Sequence, residues 1–162
     1  VGLDEDFDMF DHGVTLLSPD RVPMSLRDVA GSRGLVVVGV GRGGERGFQM
    51  LYRFREDSER LASQGVHLVF AYPRESARHV LDPISASSAR LQRRPCLLLD
   101  ADGCLFRSGP PVRSLAVAHL AHDMALLDAA DIDLRNEAWE DGLHAYLSRI
   151  HVGANDAAPA GN

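Results

Sequence analysis

Two runs of strand length, residues 35–40 (LVVVGV) and 66–72 (VHLVFAY), are apolar at nearly every position. A strand with one face in water alternates apolar and polar residues, whereas a strand covered on both faces reads as a continuous apolar run. Both runs therefore belong in the interior of a sheet. Between them, over residues 45–64, apolar side chains recur at Phe48, Leu51, Phe54 and Leu61 with charges in between, and Gly65 follows as a stop, which predicts an amphipathic helix. Strand, helix and strand make a parallel βαβ unit, and the rest of the chain must cover it.

Residues 1–12 are rich in Asp and Glu with scattered Phe and Met, and are expected to form an acidic N-terminal arm. From Gly13 to Gly34, short apolar stretches (Val14, Leu16, Leu17; Val22, Met24, Leu26, Val29) alternate with turn residues such as Ser18-Pro19-Asp20. A short helix is predicted over 76–81, ended by Asp82-Pro83. Residues 97–99 and 104–106 flank Asp100-Ala101-Asp102-Gly103, a hairpin signal. Residues 114–127 carry Leu115, Ala118, Leu120, Met124 and Leu127 at helical spacing. A second helix is predicted over 134–150, with Ala138, Trp139, Leu143, Tyr146, Leu147 and Ile150 along one side. Residues 152–162 are small and polar and are expected to be a disordered tail. At 162 residues the chain holds one domain, placed at 13–151, and shows no internal repeat.

Composition narrows the function. The 17 basic residues are all Arg, which removes Schiff-base lysines, a P-loop lysine and lysine general bases together. A formal charge of −6 with scattered basic residues argues against nucleic acid as a partner. No apolar run approaches the roughly 18 residues of a membrane span, so no membrane association is expected. Two cysteines, Cys96 and Cys104, are too few for a small disulfide scaffold, and no basic n-region leads an apolar stretch at the start; a cytoplasmic location is the expectation.

Two segments carry a family resemblance. Residues 13–38, GVTLLSPDRVPMSLRDVAGSRGLVVV, resemble the lead-in of the peroxiredoxin and redoxin branch of the thioredoxin superfamily, where a short hairpin and a Leu-rich turn precede the central strand. Arg94-Pro95 followed by CLLLDADGCLFRSG resembles the place where thioredoxin-like proteins set a cis proline before a strand and a hairpin. The resemblance implies an α/β, thioredoxin-like fold: a central mixed sheet with flanking helices, here with an extra C-terminal helix. It also implies a reactive Cys where the first long strand meets its helix, because the helix N-terminus stabilises a thiolate. That junction reads Gly43-Gly44-Glu45-Arg46-Gly47-Phe48-Gln49. Aligned by strand length, Gly44 and Gly47 occupy the cysteine positions; aligned on the preceding Arg-Gly-Gly, Arg46 and Gln49 do. Neither register supplies sulfur, so the active-site cysteines are missing. Cys96 and Cys104 are expected as small buried residues of the hairpin, on opposite faces if 100–103 form its loop and on the same face if the register slips by one.

Gly39-Val40-Gly41-Arg42-Gly43-Gly44 is a rival signal, since it satisfies G-x-G-x-x-G between a strand and a helix. Backbone N–H groups there, with Arg42 and Arg46 beside them, would hold an anion. The second strand ends in Ala71-Tyr72-Pro73-Arg74 without an acidic residue for a ribose. His119 and His122, at i and i+3 beside Asp123, would share a helix face, but no third ligand is locatable and no metal is expected.

The expected function is a redox-inactive thioredoxin-like domain acting as a protein-interaction module, such as an assembly factor or accessory subunit. Its binding residues are Arg42, Gly43, Gly44, Glu45, Arg46, Gly47, Arg94 and Pro95, on the expectation that the two arginine groups adjoin in the fold and receive an acidic segment. No catalytic residue and no cofactor are assigned. A protein is the expected partner, with a homodimer as a further option. The alternatives are a nucleotide or anion binder at the glycine-rich turn, residues 39–47, and an atypical thiol peroxidase or oxidoreductase using Cys96 or Cys104. The terminal helix with Trp139 and Tyr146 either caps the domain or offers a docking face.

Overall fold

The computed structural model describes residues 13–41, 50, 52–81, 96–106, 109 and 111–151. Among these residues seven strands form one sheet: β1 (Leu16–Leu17), β2 (Pro23–Met24), β3 (Gly34–Val40), β4 (Val66–Pro73), β5 (Leu97–Asp100), β6 (Ser114–Leu120) and β7 (Leu126–Asp133), in the order β2-β1-β5-β4-β3-β6-β7. The helices are α1 (Leu26–Val29), α2 (Arg55–Ser63), α3 (Ala77–Val80) and α4 (Trp139–Ser148), with a 3₁₀ turn, Arg74–Ser76, leading into α3. Helical residues at Met50, Tyr52 and Arg53 precede Phe54, which breaks the run before α2.

The two apolar runs pair in parallel, Val36 with Leu68 and Val38 with Phe70, and every residue of β3 is buried. Alternation along the strands sends Val36, Val38 and Val40, with Phe70, Tyr72, Leu97, Leu99 and Val117, into the layer beneath α2 and α4. Leu35, Val37, Val69, Ala71, Leu98 and Ala118 point the other way and meet Val14, Leu16, Leu26 and Val29 of the lead-in. That lead-in is held by a capping box: Ser25 Oγ accepts from the Asp28 N–H at 3.2 Å and Asp28 Oδ2 accepts from the Ser25 N–H at 2.8 Å. A parallel βαβ unit, an antiparallel hairpin and a closing helix make this a thioredoxin-like α/β fold with a mixed sheet, flanking helices and a C-terminal helix.

The hairpin lies elsewhere than the sequence suggests. Residues 97–100 form β5, which runs parallel to β4 and meets β1 on its other side, and no strand of the sheet follows at 104–106. Asp100 explains the false signal. Its carboxylate accepts from the N–H groups of Cys104 and Leu105, both at 3.1 Å, so the Asp-Gly turn bends the chain away instead of returning it. The hairpin is β6–β7, and all of β6 and the first two residues of β7 fall in the stretch expected to be helical. Alanine-rich β6 has weak strand propensity of its own, but its backbone pairs with β3 on one side and β7 on the other, which overrides local preference. The turn between them is closed by Ala121 N–H to the Ala125 carbonyl at 2.8 Å, with Met124 in the left-handed region at φ 71°. His119 and His122 accordingly lie on a strand and in a turn, with no shared helix face, and no group of three metal-ligating side chains occurs among the described residues.

Helix α4 starts at Trp139 because Asn136 caps the preceding turn, accepting from the Ala138 N–H at 3.0 Å. Leu143, Tyr146, Leu147 and Ile150 are buried against the sheet, and the Trp139 ring lies 6.4 Å from Phe54. The buried part of this stripe is thus a cap on the sheet, with Trp139 half-buried against it. Among the described residues no helix is long and apolar enough to cross a membrane. The proposed arm and tail, residues 1–12 and 152–162, lie outside the described residues.

Candidate functional site

Because β3, β4 and β5 are parallel, their carboxyl ends, Val40, Pro73 and Asp100, share one rim of the sheet, where open α/β sheets receive ligands. Strand β6 is antiparallel to β3, so Pro111, Val112 and Arg113 approach the same rim, and the Gly41 N–H donates to the Ser114 carbonyl at 3.2 Å. Val112 is 68% exposed and Tyr52, just beyond the junction, 63%.

The first two glycines of the dinucleotide-like motif have packing partners from the chain itself. A Cβ at Gly39 would overlap the Phe106 ring, and one at Gly41 would overlap the Pro111 carbonyl. The close approach that a glycine grants to a pyrophosphate is here taken by a phenyl ring and a proline. Arg42, Gly43, Gly44, Glu45, Arg46 and Gly47, together with Arg94 and Pro95, lie outside the described residues.

The strand that follows Pro95 in the sequence is β5, not the hairpin, and its first residue Leu97 is level with Phe70 in β4 and thereby with Val38. Gly41, by contrast, leaves β3 at the carboxyl rim. The prolines that precede the first hairpin strand are Pro110 and Pro111, and the sequence signal for them was the Pro-Pro pair before an apolar run.

The cysteines sit at opposite ends of β5, and both are free. Cys96 is buried, and burial pushes its thiol up to about 11. Cys104 is exposed, so the expectation of two buried residues holds for one only; the turn held by Asp100 carries Cys104 out of the sheet. Two further polar groups escaped sequence reasoning. The hydroxyls of Tyr72 and Ser76 are buried without a hydrogen-bond partner among the described residues. Desolvation first, and the nearby Cys96 second, hold the Tyr72 phenol well above its ordinary range.

No protein-family model matches the chain, and no curated protein matches it either. Solved structures do resemble its fold. Reduced Prx3 from Vibrio vulnificus is 12% identical with a TM-score of 0.54, over 87% of this chain and 96% of that one. Peroxiredoxin Q from Xanthomonas campestris is 15% identical with a TM-score of 0.53, over 84% and 90%. Peroxidoxin BcpB from Mycobacterium tuberculosis is 18% identical with a TM-score of 0.51, over 88% and 97%.

Proposed function

We propose that this chain is a thioredoxin-like domain that binds protein without thiol chemistry at the junction after β3. The observation that carries the reading is the chemistry of its sulfur: residues 42–49 contain no Cys, and the Cys96 thiol is buried and held protonated at neutral pH. A thiolate mechanism at that junction then has no nucleophile. What remains is a rim with exposed apolar side chains, Val112 and Tyr52, of the kind that protein contacts use.

A second reading is thiol peroxidase or oxidoreductase activity at Cys104. It is favoured by the exposure of that thiol and by the peroxiredoxin structures that share the fold. Fold-level likeness weighs less than the absence of a positioned sulfur. The anion-binding alternative is weakened by the packing that fills Gly39 and Gly41.

Peroxide-consumption and insulin-reduction assays on the wild type and on Cys104→Ser separate these readings. The binding reading expects background rates from both proteins, and capture of a host protein that Val112→Asp diminishes. Turnover that vanishes in Cys104→Ser would establish the thiol reading instead.

A further inference from the structure

The sheet has two ends of unequal character. β2 is two residues long and begins with Pro23, which has no N–H to offer, so that edge is blunted. β7 is eight residues long and, among the described residues, pairs with β6 alone. Its hydrogen-bonding direction follows from one bond: the Leu134 N–H donates to the Arg113 carbonyl at 3.0 Å, so residue 134 faces β6. Alternation then turns Ile132, Ala130 and Asp128 toward β6, and leaves the N–H and C=O groups of Ala129, Asp131 and Asp133 pointing out of the sheet. The Gly41 N–H bond to the Ser114 carbonyl fixes the same phase, since Ser114, opposite Asp133, directs its carbonyl to β3.

Charge identifies what suits this edge. β7 contains Asp128, Asp131 and Asp133 and no basic residue. Asp133 is already paired with Arg135 at 3.0 Å, whereas Asp131 is exposed and makes no ion pair among the described residues. Where the register slips between His119 and Leu120, Leu127 is left as the unpaired residue of a bulge, 58% exposed. An antiparallel second copy joined through the outward groups would set the two Asp131 carboxylates opposite or diagonal to each other, which is repulsive.

We propose that the outer edge of β7 receives an extended segment of a partner protein with basic residues at alternate positions. The segment adds a strand through the outward groups of Ala129, Asp131 and Asp133 and sets a guanidinium or ammonium group beside Asp131, so that its backbone supplies affinity and its alternation supplies selectivity. The edge meets the carboxyl rim only at Asp133, opposite Ser114, and runs away from it through Asp131 and Ala129, so the proposal stands without the reading given to that rim.

Fluorescence anisotropy with synthetic peptides tests it on the full chain. A peptide alternating Arg and Val should bind; one of the same composition with its arginines in a single block should bind about tenfold more weakly. Asp131→Asn should lose about tenfold by removing the charged partner. Ala129→Pro should lose at least as much, because it removes an outward N–H while leaving the β6 ladder whole. Should circular dichroism find Ala129→Pro unfolded, the alternating peptide N-methylated at every residue, which removes its backbone donors whichever way it runs, takes its place, with the same loss expected on the wild-type protein. Equal binding of the block peptide, tighter binding of a Glu-Val alternating peptide, or unchanged binding after loss of the backbone donor overturns the proposal. So does a solution dimer that Ala129→Pro dissociates, which would assign the edge to a second copy of the chain.

Discussion

Burial moves the Cys96 thiol from its ordinary 9.0 to about 11, while Cys104, a few residues on, is exposed. Iodoacetamide at pH 8 should therefore label one thiol per chain rapidly, with Cys104→Ser removing that phase; the second should react only on denaturation or as pH approaches 11. Rapid labelling of both in the folded protein at pH 8 would refute the burial of Cys96. The sign of the linked stability follows from the same shift. The neutral thiol belongs to the folded state, so its contribution is complete below about pH 9 and is lost as pH rises through about 11, as the unfolded chain ionises first. At the glycines the sequence motif was visible and its meaning was not. Gly39 and Gly41 were legible as a possible phosphate cradle, but Phe106 and Pro111, which fill their faces, come from a segment more than sixty residues away that no local pattern connects to them.

Helices α2 and α4 show how an apolar stripe and a polar clamp divide the work between elements. The stripe was readable, since Leu143, Tyr146, Leu147 and Ile150 recur at helical spacing and are buried. The clamp was not. Arg60 donates to the carbonyls of Leu147 at 2.6 Å and Ile150 at 3.5 Å, at the end of α4 where carbonyls lack helical partners. Asp57 meets His144 Nδ1 at 2.5 Å, Arg53 meets Glu140 at 2.9 Å, and the His144 ring lies 4.3 Å from Phe54. Charges spaced along α2 read from sequence as a solvated face, because their partners are on an element far along the chain. Arg60→Ala should cost about 1–2 kcal/mol, through the lost charged hydrogen bonds to α4. Urea denaturation measures this, and a midpoint equal to the wild type would show that the clamp contributes nothing.

For the whole molecule, α4 closes one face of the sheet, and its apolar side chains belong to the same buried cluster as Val36, Val38, Phe54 and Val117. A chain ending before Trp139 should lose cooperative thermal unfolding and bind a hydrophobic dye, since truncation leaves that layer open to water; a sharp, dye-free transition would mean the helix is dispensable. The sequence alone determined the buried parallel pair, the helix between its strands, the closing helix and the lack of a cysteine after β3, because each is written in residue type and in periods of two or 3.6 over a short stretch. Only the tertiary structure decided that 114–120 and 126–133 pair as strands, that 97–100 join the parallel side of the sheet, that one cysteine is sealed and the other exposed, and that acidic β7 is the last strand among the described residues. Those outcomes depend on which backbone finds an unpaired neighbour across the sheet, and hydrogen bonds between distant segments leave no periodic trace in either partner's sequence.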